Sequence, residues 1–292
     1  MLEERFYRKF DAVRLPEEFC VEQDRGFPVR CCEKMLVLGS LTDNTWQNDV
    51  TSAWLKLSSV TDTVTFSLTK EGQATSYLFT TNSFVSSQEP YSKYCTIQWK
   101  DVLVSDGRGC YELNVDYNIS GIIGSIVWGK YQLEQYSIDR ALKTARIRVK
   151  FNLMQEVEGI DFTDSNVEDS VRFHGFIGHR QPNTEIDNLI YQNRELKTVT
   201  RENLYSYEIT TDPYGDCLIS RLTELYLLSE NELYISDYNA HNHSYKILDV
   251  PVIVEESPEI DYLDQWQRKA ILTCTVGDRI KNSRTYYKRL RE

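Results

Sequence analysis

The chain has 292 residues, 41% of them apolar and 26% charged, so it is a globular protein long enough for one large core or two ordinary ones. Its 44 acidic and 33 basic residues leave a formal net charge of −11. That balance excludes a general nucleic-acid binder, because phosphate neutralisation needs clustered Lys and Arg.

Runs rich in Val, Ile, Thr, Tyr, Phe and Trp follow one another along the chain, broken by Gly, Asn, Asp and Ser clusters, and read as many short antiparallel strands. The expected fold is mainly β, with two β-rich, sandwich-like domains and few short helices. Residues 1–28 hold a short helix around 3–13, then Pro16, Gly26 and Pro28, and read as an arm that wraps over a neighbour. Strands crowd residues 29–151, among them 63–68, 77–80 and 95–99. The two glycines of the loop 105–109 predict a hairpin between strands 97–104 and 110–115.

Strands 146–153 and 171–177 flank the acidic segment 155–170, a pattern expected of a hairpin with a projecting polar loop. The domain boundary is expected near 198–203, dividing a first domain, 29–198, from a smaller one, 199–292. In the second, the spacing of Leu218, Leu222, Leu225 and Leu228 predicts a helix over 217–229. Strands near 232–236, 245–254 and 270–276 follow. From Arg268 onward eight basic residues stand against two acidic ones, forming a basic tail on an acidic body.

The first ten residues lack the apolar stretch of a secretory signal, and the longest apolar run, 121–129, is far short of the roughly 20 residues that cross a bilayer. Synthesis and folding in a cytoplasm, with no membrane span, are expected. Seven cysteines, odd in number and without disulfide or zinc-ribbon spacing, fit reduced core thiols.

Catalytic and metal chemistry has few footholds. His174 and His179 lie five apart near a strand, and His241 with His243 form an H-x-H, but that pair stands in a turn-like stretch with no carboxylate or thiol at metal spacing. Asp161, Asp164, Glu168 and Asp169 offer oxygens for calcium, yet the stretch lacks the glycine and alternation of an EF-hand, so a solvated loop is expected. Phosphate-loop, dinucleotide, nucleophile-elbow and zincin motifs are absent from the sequence. The expectation is a protein that is not an enzyme, with no catalytic residue, cofactor or metal.

Mixed aromatic and basic residues are what interface hot spots favour. The contact candidates are Phe6, Tyr7, Phe10 and Phe19 in the arm, and Arg284, Tyr286, Tyr287, Lys288 and Arg289 in the tail.

The run Ile97-Gln98-Trp99-Lys100-Asp101-Val102-Leu103, then Gly107-Arg108-Gly109-Cys110-Tyr111-Glu112-Leu113, resembles a W-x-D-V…G-x-G-C-Y segment in β-rich virion proteins of tailed bacteriophages, crAss-like phages in particular. Gly175-Phe176-Ile177-Gly178-His179-Arg180-Gln181-Pro182, Tyr191-Gln192-Asn193-Arg194-Glu195, Leu225 to Leu228, and Ile235-Ser236-Asp237-Tyr238-Asn239 are similar to the same proteins, so the likeness spans roughly residues 95–280. The resemblance implies a structural virion component of the tail or neck, one copy in a homo-oligomeric ring or hub. Its implied partners are copies of itself and neighbouring virion proteins, and it carries no catalytic residues.

A different class is also open on the residues alone. The excess of Trp and Tyr suits a carbohydrate-binding, receptor-binding β-sandwich, since sugar faces stack on rings. Trp46, Trp54, Trp99, Trp128 and Trp266 are scattered, however, and Trp99 and Trp128 lie in apolar runs. A glycoside hydrolase would need two carboxylates converging in a cleft.

Overall fold

The computed structural model describes residues 35–42, 44, 47–73, 76–155, 160–178, 181–190, 196–227, 232–237, 247–264, 269–279 and 282–285. The fold is mainly β with few short helices, in several sheets.

The first part runs β1 (Met35–Gly39), β2 (Val50–Leu55), β3 (Thr63–Lys70), β4 (Ser76–Leu78), β5 (Asn82–Ser83), β6 (Lys93–Gln98), helix α1 (Trp99–Asp106), β7 (Gly109–Ile119) and β8 (Ile122–Gln135). These strands form a five-stranded sheet in the order β1-β8-β7-β3-β4 and a three-stranded sheet β2-β6-β5. All the pairings are antiparallel except that of β1 with β8. After a short helix, α2 (Ile138–Ala141), come β9 (Thr144–Phe151), β10 (Met154–Gln155), β11 (Ile160–Asp161), β12 (Val167–Ile177), β13 (Gln181–Ile190), β14 (Leu196–Thr211) and β15 (Tyr214–Gly215). Helix α3 (Asp216–Ser220) passes into a π-helical segment, Arg221–Leu227. The chain then continues through β16 (Glu232–Asp237), β17 (Ile247–Val254), β18 (Glu259–Asp264), β19 (Lys269–Asp278) and β20 (Asn282–Thr285).

Six of these strands close on themselves. The ladder runs β14-β12-β9-β16-β17-β19 and returns from β19 to β14, an antiparallel six-stranded barrel. Period-two alternation supplies its apolar face: Ala145, Ile147, Val149 and Phe151 of β9 are fully buried, and Ile147 stands opposite Val171 on one side and Ile235 on the other. Tyr207, Ile209, Val252, Leu272, Cys274 and Val276 belong to the same buried core. A barrel of this size is filled by side chains, and closure removes the exposed edges that an open sheet leaves.

The expected hairpin between 97–104 and 110–115 is not formed. Residues 99–106 are helical, and β7 pairs with β3 and β8 instead. Burial overrides the strand preference of Val102 and Val104 here, because a helix sends Trp99 and Val102, one turn apart, into the core together. Trp99 Nε1 donates to Thr51 Oγ1 at 2.8 Å, Asp101 lies in the first turn where the helix dipole favours an anion, and Gly107 ends the helix at φ +73°.

The hairpin around 155–170 is present as β9 and β12, with Val167 opposite Phe151. Its acidic residues are not uniformly solvated, though: Asp161 and Asp169 are buried. The expected helix over 217–229 is matched as far as Leu227 by α3 and the π-helical segment, with Ile219, Leu222, Tyr226 and Leu227 buried; residues 228 and 229 lie outside the described residues. The boundary expected near 198–203 falls inside β14, and strands from both sides of it build the barrel. One contiguous core joins the barrel to the first two sheets, where Trp54 of β2 packs edge-on against Phe151 at 5.4 Å and Trp128 of β8 at 5.1 Å.

Candidate assembly site

The barrel does not end flush. β14 is 16 residues long; residues 209–211 pair with β12 and residues 206–210 with β19. Its remaining length, 196–205, runs beyond those partners and pairs instead with β13, and with β20 over 200–203. On each side of β14 one partner succeeds another along the same line, β12 then β13, and β19 then β20. The result is a three-stranded ribbon that carries three adjacent barrel strands past the rim. The ten residues of β13 span about 33 Å at the usual strand rise. Among the described residues β13 pairs with β14 alone, and its other edge has no strand beside it.

A buried charge network holds the first sheets against the barrel that bears this ribbon. Arg172 of β12 grips Asp49 with two bonds, Nε to Oδ2 at 2.9 Å and Nη2 to Oδ1 at 3.0 Å. Arg146 of β9 lies 3.5 Å from the same carboxylate and donates to Asp249 Oδ1 at 2.8 Å. Arg148 meets Asp249 with two bonds of its own, 3.2 and 3.0 Å, and reaches Glu168 at 3.2 Å. Three guanidinium groups thus alternate with three carboxylates. The Arg146 cation, which is fully buried, falls below its ordinary pKa because it has lost water, although Asp49 and Asp249 pull it back up. Asp49 also accepts the Leu38 N–H at 2.7 Å, and Arg146 donates to the Asn48 carbonyl at 2.8 Å.

A second buried group ties the helical segment to β12. Arg221 Nη2 donates to Asp169 Oδ2 at 2.6 Å, and the Tyr226 hydroxyl donates to the same oxygen at 2.9 Å. The π-helical turn brings Arg221 and Tyr226, five residues apart, to one face. Burial raises the Asp169 carboxyl above its usual range against the pull of Arg221, and raises the Tyr226 hydroxyl well above its own.

The turn from β7 to β8 presents exposed apolar side chains. Ser120 (φ +52°) and Gly121 (φ +84°) turn β7 into β8, the signature of a two-residue hairpin turn, and leave Ile122 and Ile123 exposed beside it. Asp62 accepts the Ser120 N–H at 2.9 Å and the Ser59 N–H at 3.1 Å, which fixes the loop bearing the exposed Val60 to the turn. The backbone donors, Ser120 foremost, hold the Asp62 carboxyl below its ordinary value.

Of the contact candidates, Phe6, Tyr7, Phe10, Phe19, Tyr286, Tyr287, Lys288 and Arg289 lie outside the described residues. Arg284 is on β20, in register with Arg201 of β14. His174 is exposed on β12, its Nδ1 3.2 Å from the Lys143 carbonyl; His179, His241 and His243 lie outside the described residues. The four acidic residues weighed for calcium have no common cage. Asp161 is held by Ser86 and Thr163, Glu168 by Arg148 and Asp169 by Arg221, and Asp164 stands in a turn at φ +59°. Among the described residues no three His, Cys, Asp or Glu are grouped to hold a metal. Trp54, Trp99 and Trp128 are buried, while Trp46 and Trp266 lie outside the described residues.

Neither the charge network nor the ribbon was anticipated from sequence. Alternating Arg in Thr-Ala-Arg-Ile-Arg-Val-Lys-Phe does signal a polar face on β9, but not that Asp49 and Asp249 would cover it. The run of β13, Gln-Pro-Asn-Thr-Glu-Ile-Asp-Asn-Leu-Ile, lacks the β-branched and aromatic pattern by which strands are read. Comparison with known proteins finds no matching family model, no similar curated protein and no similar solved structure.

Proposed function

We infer that the chain is a structural subunit of a tailed-phage particle, one copy of a homo-oligomeric ring or hub in the tail or neck. On this reading it is made in the host cytoplasm and works by contact with copies of itself and with neighbouring virion proteins, without cofactor or catalytic residue. The observation that carries it is the ribbon: a barrel closes with β14 paired only over 206–211, so the further reach of β13, β14 and β20 adds nothing to that closure. A strand extension mounted on a rigid closed barrel suits a contact with another chain, where exposed strand edges and faces find partners. The resemblance of residues 97–113, 175–182 and 235–239 to crAss-like phage virion proteins supports the tail or neck as the place. The basic residues from Arg268 onward, against an acidic body, support contact between copies.

Native mass measured across a concentration and salt series tests this. A closed oligomer that weakens as salt rises is the expected result. A monomer at every concentration and salt would overturn self-assembly and favour the glycan-binding alternative, which a glycan array then reads directly.

A further inference from the structure

Strand β18 offers an open edge. It continues the line of β17 along one side of β19: residues 276–278 of β19 pair with β17 and residues 269–273 with β18. Among the described residues β18 pairs with β19 alone. Ile260 and Tyr262 stand opposite Leu272 and Ala270, which are buried in the core, so they prolong the core face; both are nevertheless exposed, as is Leu263. Glu259 and Asp261 fall on the opposite face and are exposed too. From Glu255 to Asp264 the chain holds five carboxylates and no Lys or Arg. Unpaired backbone groups beside uncovered apolar side chains are a template for one more strand. The carboxylates select against an acidic one, which excludes β18 of a second copy.

Resting on the assembly reading above, we propose that the C-terminal segment 286–292 of a neighbouring copy adds to β18 as a further strand. Two observations carry this. First, charge and pattern match. The segment Tyr-Tyr-Lys-Arg-Leu-Arg-Glu has Lys288, Arg289 and Arg291 against Glu292 alone. Arg289 and Arg291 are two apart in the chain, as are Glu259 and Asp261, and the alternate row has Tyr286 and Leu290 where that of β18 has Ile260 and Tyr262. The period of two of a strand then sets opposite charges on one side of the new pair and apolar groups on the other. Second, the segment cannot reach the β18 of its own chain. Thr200 of β14 pairs with Thr285, after which the segment begins, and Thr210 of β14 pairs with Thr273, the partner of Glu259. Ten residues of strand set those two points about 33 Å apart. Seven extended residues span at most about 25 Å, so none of the segment comes to lie along that edge. The ribbon carries it away from its own acceptor, and the contact is made between copies. Donor segment and acceptor edge are different surfaces, so the interface is heterologous and repeats around a ring when its rotation closes.

Truncation and charge reversal test the contact, read by native mass. A chain ending at Thr285 loses no residue of a described strand, and it is expected to keep its circular dichroism and melting midpoint while losing the oligomer formed by the native chain. E259K/D261K, which makes the edge basic, and R289E/R291E, which makes the segment acidic, are each expected to weaken association about tenfold or more. A chain carrying all four reversals is expected to regain it, because opposite signs face each other again. A truncated chain or a single reversal pair that assembles like the native one overturns the contact, and so does a folded four-reversal chain that stays dissociated; with a native oligomer present, the ring reading survives those results. A native chain that never assembles overturns both.

Discussion

At the residue scale, Asp49 is the hinge of the buried charge network. It receives two bonds from Arg172, one from the Leu38 N–H, and lies 3.5 Å from Arg146. Asp49→Ala would leave two buried guanidinium groups short of a counter-charge, and losing one partner of a buried pair costs about 3–5 kcal/mol. Urea unfolding of the variant is expected to show that loss; a change below about 1 kcal/mol would mean the network is as weak as a surface pair. The carboxylates of Asp62, Asp161 and Glu232 point to a pH dependence. Backbone and side-chain donors hold each of them below its ordinary value, 3.8 for the two Asp and 4.5 for Glu232. A depressed folded pKa adds stability that is full above the ordinary value and is lost as pH falls through the folded one. Melting midpoints are therefore expected to hold from pH 7 to about 5 with respect to these groups and to drop below about pH 4. Asp62→Asn should flatten part of that drop. Thiol chemistry gives a third check. Burial pushes Cys95 and Cys274 up to about 12, so at pH 8 both should resist a thiol reagent that labels the half-buried Cys110.

At the scale of elements, α1 and the ribbon behave oppositely. Helix α1 is wedged into the core: a methyl group on Gly39 of β1 would stand 2.8 Å from the Trp99 carbonyl oxygen and 3.2 Å from Leu103 Cβ. Gly39→Ala is expected to push the helix off the sheet at a cost of about 1–3 kcal/mol, and Trp99→Phe to lose about 1 kcal/mol with the bond to Thr51. The ribbon lies outside the closing ladders, which use only residues 206–211 of β14. Replacing residues 184–203 with a two-residue turn should accordingly leave the melting midpoint nearly unchanged while abolishing assembly. A collapse of the fold would instead make the ribbon part of the stable body.

For the whole molecule, the shared core matters more than the number of sheets. Trp54, Trp128, Phe151 and Phe162 meet with ring centroids 5.1 to 5.4 Å apart around Trp54, and they come from β2, β8, β9 and the turn after β11. The charge network crosses the same boundary. Calorimetry is therefore expected to show one cooperative transition, and two resolved transitions would reveal that the first sheets and the barrel unfold separately. An expected division near residue 198 assumed that neighbours in sequence share a core. The barrel instead recruits β9 and β12 from one side of that point and β16, β17 and β19 from the other.

By itself the sequence determined the features that local pattern encodes. The β-rich class follows from alternating β-branched and aromatic runs, the hairpin of β9 and β12 from two such runs around a polar stretch, and the helical segment after Asp216 from leucines at helical spacing. The burial of Cys95 and Cys274 follows from the apolar runs that carry them. Only the tertiary structure decided which strands are neighbours. Alternation says which residues share a face of a strand but is silent on the partner. Closure depends on Ile209 meeting Cys274, 65 residues further along the chain. The same non-local contacts turned residues 99–106 into a helix, because the cavity between β1, β2 and β8 rewards burying Trp99 more than strand propensity rewards extending it. They also placed Asp49 over Arg146 and Arg172, and carried β14 past the barrel rim between β13 and β20. Each depends on which distant segments meet in space, and no single stretch of the chain encodes that meeting.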